Sequence, residues 1–144
     1  MSKLANIIQQ YLLPDHVLMD IREDGHSNMI RVIVDSEFPL TLDQTTDLTR
    51  RLRNSEDFET MFPKGIRLEV TTPGLNQPIT LPFQFRKNIN RNLRISFQDG
   101  SKIRKIMAMI VGADDQSVTL VDNGQQISVS YDRIKYAKVE ISFN

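Results

Sequence analysis

The stretch LEVTTPGLNQP, residues 68–78, begins as a strand and ends as a turn. Leu68 and Val70 alternate with Glu69, the period of a half-buried strand, and Thr71 and Thr72 then run into Pro73 and Gly74. Pro73 cannot donate to a ladder, and Gly74 is expected to take the positive φ that a turn needs. A halt here divides the 144 residues in two. The reading is an N-terminal α/β domain over 1–82 and a C-terminal small β-barrel over 83–144, with Pro78 and Pro82 stiffening the linker.

Upstream of the halt, Ser2 is placed as an N-cap, and Leu4, Ile7, Ile8, Tyr11 and Leu12 share one helical face before Pro14 ends the helix. HVLMDIRE (16–23) and NMIRVIVDS (28–36) then alternate with period two around the turn-forming DGHS, which predicts an antiparallel hairpin. Thr41 and Gln44 have the capping-box spacing, with Leu48 and Leu52 one turn apart behind them. Arg50, Arg51 and Arg53 crowd the last turn, where they suit the negative end of the helix dipole. SEDFETMFPKG (55–65) reads as a polar connection, and IRLEVTT returns as a third strand. The order helix, two strands, helix, strand predicts a two-layer α+β domain of KH-like layout, although the chain contains no G-x-x-G loop.

Downstream, five short strands are predicted, with turns at Asp99-Gly100, from Gly112 to Asp115 and at Asn123-Gly124. Asp132, Arg133 and Ile134 are long enough for one tight helical turn before the last strand. So small a sheet avoids exposed edges by closing, so the expected architecture is an SH3-like or Sm-like barrel.

Composition narrows the chemistry. Hydrophobic residues are 40% and charged residues 25%, as in folded globular chains. The absence of cysteine removes disulfides and thiolate chemistry and fits a reducing cytoplasm. The first residues do not read as a signal peptide, and no apolar run is long enough to span a bilayer, so a cytoplasmic protein without membrane contact is expected. The net charge of zero hides a polarity. Residues 1–82 carry eight Lys+Arg against twelve Asp+Glu, net −4, and residues 83–144 carry ten against six, net +4. Arg86, Lys87, Arg91, Arg94, Lys102, Arg104 and Lys105 fall close together, with Asp99 the single acid among them. This points to a polyanionic partner. Arg94 is predicted to face away from Leu93 and Ile95, with Lys102, Arg104 and Lys105 outward on the next strand, an array suited to phosphates. Phe83 and Phe85 are expected to pack into the joint rather than stack on bases, which leaves shape and charge, not sequence, to be recognised.

Catalytic groups are few. His16 and His26 lack metal-site spacing, and no phosphate loop or nucleophile motif occurs. Asp35 and Glu69 are neighbours if the sheet pairs as expected, which would raise one pKa by repulsion. The reading assigns no catalytic residue, no cofactor and no metal, and takes the chain for a monomer. A protein-interaction adaptor whose barrel binds a peptide or a partner strand stands as the alternative.

IRLEVTTPGLNQPI, FQFRKNINRNLRI and VTLVDNGQQISVSYDRIKYAKVEISF together resemble the bacterial ribosome maturation factor RimP family over nearly the whole chain. Against its signature E-V-S-S-P-G-L-D-R-P-L, Glu69, Val70, Pro73, Gly74, Leu75 and Pro78 match. Thr71 and Thr72 keep the hydroxyls, and Asn76 and Gln77 replace Asp-Arg. Asn90 stands where a glycine is usual. The strand ending in Asp35 and the closing strand with Ile134, Lys135, Ala137 and Val139 also fit. The resemblance implies a non-enzymatic assembly factor that binds the free small ribosomal subunit, its RNA and a small-subunit protein. It also makes Glu69, Thr71, Thr72, Pro73, Gly74, Asn76, Gln77 and Pro78 a contact surface or joint.

Overall fold

The computed structural model describes residues 2–74 and 76–141. The chain forms two compact units, Met1–Pro73 and Gly74–Asn144.

In the first unit, helix α1 (Lys3–Tyr11) starts where the Ser2 hydroxyl accepts from the Ala5 N–H. Strands β1 (His16–Asp24) and β2 (Met29–Ser36) form the expected hairpin. Asp24 closes its turn by accepting from the His26 and Ser27 N–H groups, and Asn28 takes φ 51°. Helix α2 (Leu42–Arg53) opens with both halves of the Thr41–Gln44 capping box, at 3.0 and 3.1 Å. The supposed polar connection contains a further helix, α3 (Glu56–Met61). Ser55 caps it, accepting from the Phe58 N–H and donating to the Leu52 carbonyl, and the buried Phe58 ties the short helix to the core. A six-residue helix is too short to show an apolar period, so it hid in a polar stretch. Strand β3 (Arg67–Thr71) joins β2 in parallel, giving the order β1-β2-β3. Ile30, Val32, Val34 and Leu68 meet Leu4, Ile8, Leu48, Leu52 and Phe58 in one core. The opposite face of the sheet carries Arg31 paired with Glu69 at 3.4 Å and Arg22 paired with Asp20 at 3.2 Å.

The parallel register separates Asp35 from Glu69. Glu69 lies beside Arg31, whereas Asp35 lies four residues further along β2, opposite Val17. At roughly 3.3 Å per residue the two positions lie about 13 Å apart along the ladder, so Asp35 and Glu69 are not the neighbours that the sequence predicts.

In the second unit, Pro82 does not stiffen a linker but opens helix α4 (Pro82–Arg86) at the position where a missing N–H costs nothing. Gln84, itself buried, accepts from the Thr80 and Leu81 N–H groups and so caps its own helix. Upstream, the Ile79 N–H donates to the Ala137 carbonyl, so the segment after Gly74 belongs with this unit, whereas the sequence predicts the boundary at Pro82. Strands β4 (Asn92–Asp99), β5 (Lys102–Ala113), β6 (Ser117–Asp122), β7 (Gln125–Ser130) and β8 (Ile134–Val139) form one antiparallel sheet in the order β7-β6-β5-β4-β8. A single 3₁₀ turn, Tyr131–Arg133, leads into β8 as expected. Val129 of edge strand β7 and Ala137 and Val139 of the other edge strand share one buried cluster with Leu93, Ile95, Phe97, Ile110 and Leu120. The sheet therefore curls until both edges line the same core, the SH3-like layout. Irregularities at Ile110/Gly112 and Ser96/Phe97 supply bends. The β6–β7 turn places Asn123 at φ 52° and Gly124 at φ 79°, the two positive values of a type I′ turn.

Candidate nucleic-acid interface

The nine charge-free residues 74–82 leave the polarity untouched, so the second unit is +4 with either boundary. Register decides where its cations go. Along β5, Lys105, Met107 and Met109 stand opposite Ser96, Arg94 and Asn92 of β4. On the other side of β4, Tyr136 and Lys138 of β8 oppose Ser96 and Arg94. Arg94 and Lys105 thus share the outer face of the sheet with Lys138, while Leu93, Ile95 and Phe97 point into the core. A shallow depression of about 480 Å³ opens on this face, with Arg94, Ser96, Lys105, Met107 and Tyr136 in its lining. Arg94 makes one long ion pair, Nε to Glu140 Oε2 at 3.4 Å. Both side chains are largely exposed, so the pair contributes little and yields readily to another anion.

Lys102, Arg104 and Lys105 do not share one face, contrary to expectation. Neighbours along a strand alternate, and Arg104 lies opposite Phe97, on the core side of the sheet. It escapes burial because the strand end projects past the core, and its guanidinium lies 5.6 Å from the Phe97 ring centroid. Lys102 is in register with Asp99 at the hairpin end. Arg86 ends α4 and pairs with Asp115 at 3.1 Å, and Lys87 is the helix C-cap. Arg91 is exposed before β4, its carbonyl accepting from the Ile110 N–H. The seven predicted cations therefore divide among the outer face (Arg94, Lys105), the β4–β5 hairpin end (Lys102, Arg104) and the α4–β4 segment (Arg86, Lys87, Arg91).

Sequence reasoning missed two cations. Lys138 reaches the outer face from β8, and Arg133 reaches the hairpin end from the 3₁₀ turn. Both lie more than thirty residues beyond Arg94 in sequence, where clustering along the chain gives no signal; period two in IKYAKV would have placed Lys138 on the face of Tyr136. Phe85 is fully buried in the core of the second unit, its ring centroid 5.2 Å from that of Tyr131. It is a core residue of that unit rather than part of a joint or a stacking platform. Burial, and then the charge of Asp114, push the Tyr131 phenol above its ordinary pKa, and its hydroxyl donates to the Asp114 carbonyl.

The signature turn follows β3. Glu69 is held by Arg31, Thr71 closes the ladder opposite Ile33, and the Thr71 hydroxyl reaches the Thr72 carbonyl at 3.5 Å. The Gln77 N–H donates to the Gly74 carbonyl at 3.0 Å, while Asn76 and Pro78 are exposed. Gly74 does not take a positive φ; an added Cβ there meets only the Gln77 Cγ at 3.8 Å. The halt rests on Pro73, which has no N–H to continue the strand. Leu75, the remaining match to the signature, lies outside the described residues. Asn90, which stands where a glycine is usual, has φ 76°. Asparagine is the side chain that best tolerates this left-handed conformation, so the replacement keeps the turn.

Taken together, the topology defines a two-unit α+β protein in which a KH-like layer, αββαβ with the short α3 added before its last strand, precedes a curled five-stranded sheet of SH3-like order. Residues 15–76 match the RimP N-terminal domain. This similarity to RimP covers β1 through β3 and runs into the signature turn.

Proposed function

We propose that this protein is a non-enzymatic ribosome assembly factor that binds the free small ribosomal subunit and promotes its maturation. It acts in the cytoplasm as a monomer and contacts ribosomal RNA and a small-subunit protein. The observation that carries the reading is the RimP N-terminal domain over residues 15–76. The +4 second unit supports it, because Arg94, Lys105 and Lys138 converge on one exposed face suited to phosphates. Arg86, Lys87, Arg91, Lys102 and Arg104 extend the positive field around that face, and the turn from Glu69 to Pro78 supplies a second contact. In this division of labour the two units, residues 1–73 and 74–144, act as separate modules.

Co-sedimentation of the purified chain with isolated small subunits, large subunits and joined ribosomes across a salt series tests this. Selective, salt-sensitive association with free small subunits is expected. Equal association with all three particles would reduce the charge pattern to nonspecific attraction.

One observation favours the adaptor as a second reading. Met107, Met109 and Tyr136 stand exposed among the cations of the outer face, and an apolar strip of this kind suits a protein partner. Retained capture of a protein partner after nuclease treatment, without association with subunits, would put that reading first.

A further inference from the structure

At the end of the β4–β5 hairpin two arginines are held in place by groups that neither solvent nor chance supplies. The guanidinium carbons of Arg104 and Arg133 lie 5.6 and 5.5 Å from the centroid of the Phe97 ring, which is 1% exposed. Arg133 Nε donates to the Gln98 carbonyl at 2.8 Å, and its Nη2 lies 3.8 Å from Asp99 Oδ1. Arg104 Nη1 donates to Asp99 Oδ2 at 3.4 Å. One ring, one carbonyl and one carboxylate thus fix two side chains that arrive from positions 29 residues apart in sequence. Lys102, in register with Asp99, adds a third cation against that one acid. The nearby Asp132 carboxylate accepts from the Ser130 hydroxyl at 2.6 Å.

We propose that Arg104 and Arg133 form a preorganised fork that grips a backbone phosphate of single-stranded RNA, which makes Arg133 a binding residue. Guanidinium groups present planar pairs of N–H donors that match phosphate oxygens, and stacking on Phe97 settles their ordering cost before a ligand arrives. The contacts to Asp99 are long and the side chains are 42% and 38% exposed, so donors remain for an incoming anion. The proposal rests on the RNA-binding reading above and adds to it a phosphate site away from the outer face of Arg94 and Lys105.

The test uses the full chain, a fluorescein-labelled uridine octamer and anisotropy across a salt series, with thermal midpoints measured in parallel. The paired substitutions Arg104→Met and Arg133→Met keep apolar cover on Phe97. They are expected to weaken binding at least tenfold and to shallow the slope of log affinity against log salt by roughly 0.7, the value for one phosphate of a single strand. Arg133→Lys is expected to keep the slope and still lose affinity severalfold, since a point charge replaces a fork. An unchanged slope in a double variant that melts normally would overturn the proposal and leave the arginines as a lid on Phe97. If the double variant melts early, the Nε–Hε resonances of Arg104 and Arg133 in the native chain decide. Shifts on octamer addition that salt reverses support the fork; stationary signals, or an octamer that does not bind, sink it. Subunit co-sedimentation is read separately. A chain that ignores subunits yet shows the arginine shifts loses the assembly reading and keeps the fork, and the converse loses the fork alone.

Discussion

The two units handle charge and surface in opposite ways. In the first, a three-stranded sheet gives one face to three helices, and its other face neutralises itself across and along strands, Arg31 with Glu69 and Arg22 with Asp20. In the second, five strands curl around their own core, and the outer face keeps a surplus of cations that Glu140 only partly offsets. A sheet backed by helices has one free face to solve. A curled sheet leaves its whole outer surface to water and partners, and there a charge surplus becomes available for binding.

The sharpest way to break this comparison is to truncate each core. Leu52→Ala in the first unit and Leu120→Ala in the second both empty a fully buried site. Each is expected to cost about 2–5 kcal/mol, read as lost hydrogen-exchange protection in β2 and α2 for the former and in β5 and β6 for the latter. Equal losses in both units from either change would mean that the two cores are one.

Charge reversal probes the difference next. Arg94→Glu with Lys105→Glu is expected to weaken small-subunit association on the order of tenfold or more and to flatten its salt dependence. Arg50→Glu with Arg53→Glu, at the end of α2, should leave both unchanged. A loss from the second pair alone would transfer the interface to the acidic unit.

Caps and turns have smaller effects. Ser55→Ala removes the cap of α3 and is expected to cost about 1 kcal/mol, measured by denaturant unfolding. Gly124→Ala places a side chain at φ 79° and should cost about 1 kcal/mol. Gly74→Ala meets only open space and Gln77, so it should be near neutral for stability. Any loss of subunit association in Gly74→Ala would then report contact at the signature turn rather than strain.

Acid titration gives the smallest effect, with one matched residue in each unit. Hydrogen bonds from Ser27 and His26 hold Asp24 below the ordinary aspartate range, and those from the Gln116 and Ser117 N–H groups do the same for Asp114. A depressed folded pKa contributes stability above the unfolded value, about 3.9, that fades as pH falls through the folded one. Between neutrality and pH 5 nothing should change. Below pH 4 stability should decline, and Asp24→Asn and Asp114→Asn should each remove part of that slope in melts recorded across pH.

Legibility followed range. The Ser2 cap, the Thr41–Gln44 box, the Asn123–Gly124 turn and the alternation of β2 and β4 act within a few residues, and they were readable because a helix turn or a strand pleat repeats locally. Helix α3 escaped because six residues carry no period, and α4 because Pro82 signals a turn as readily as a helix start. The site was legible only as a cluster of cations along the chain. Which of them share a face depended on cross-strand register.

By itself, then, the sequence determined the two-part organisation, the polarity of charge between the parts and the signature turn halted by Pro73. Tertiary structure alone decided that Phe85 completes the second core, that Asp35 and Glu69 stand apart, that Arg104 leaves the face of Lys105 and that Arg133 joins it over Phe97. The physical reason is that these relations are fixed by burying apolar faces between segments tens of residues apart, and no local signal records where such segments meet.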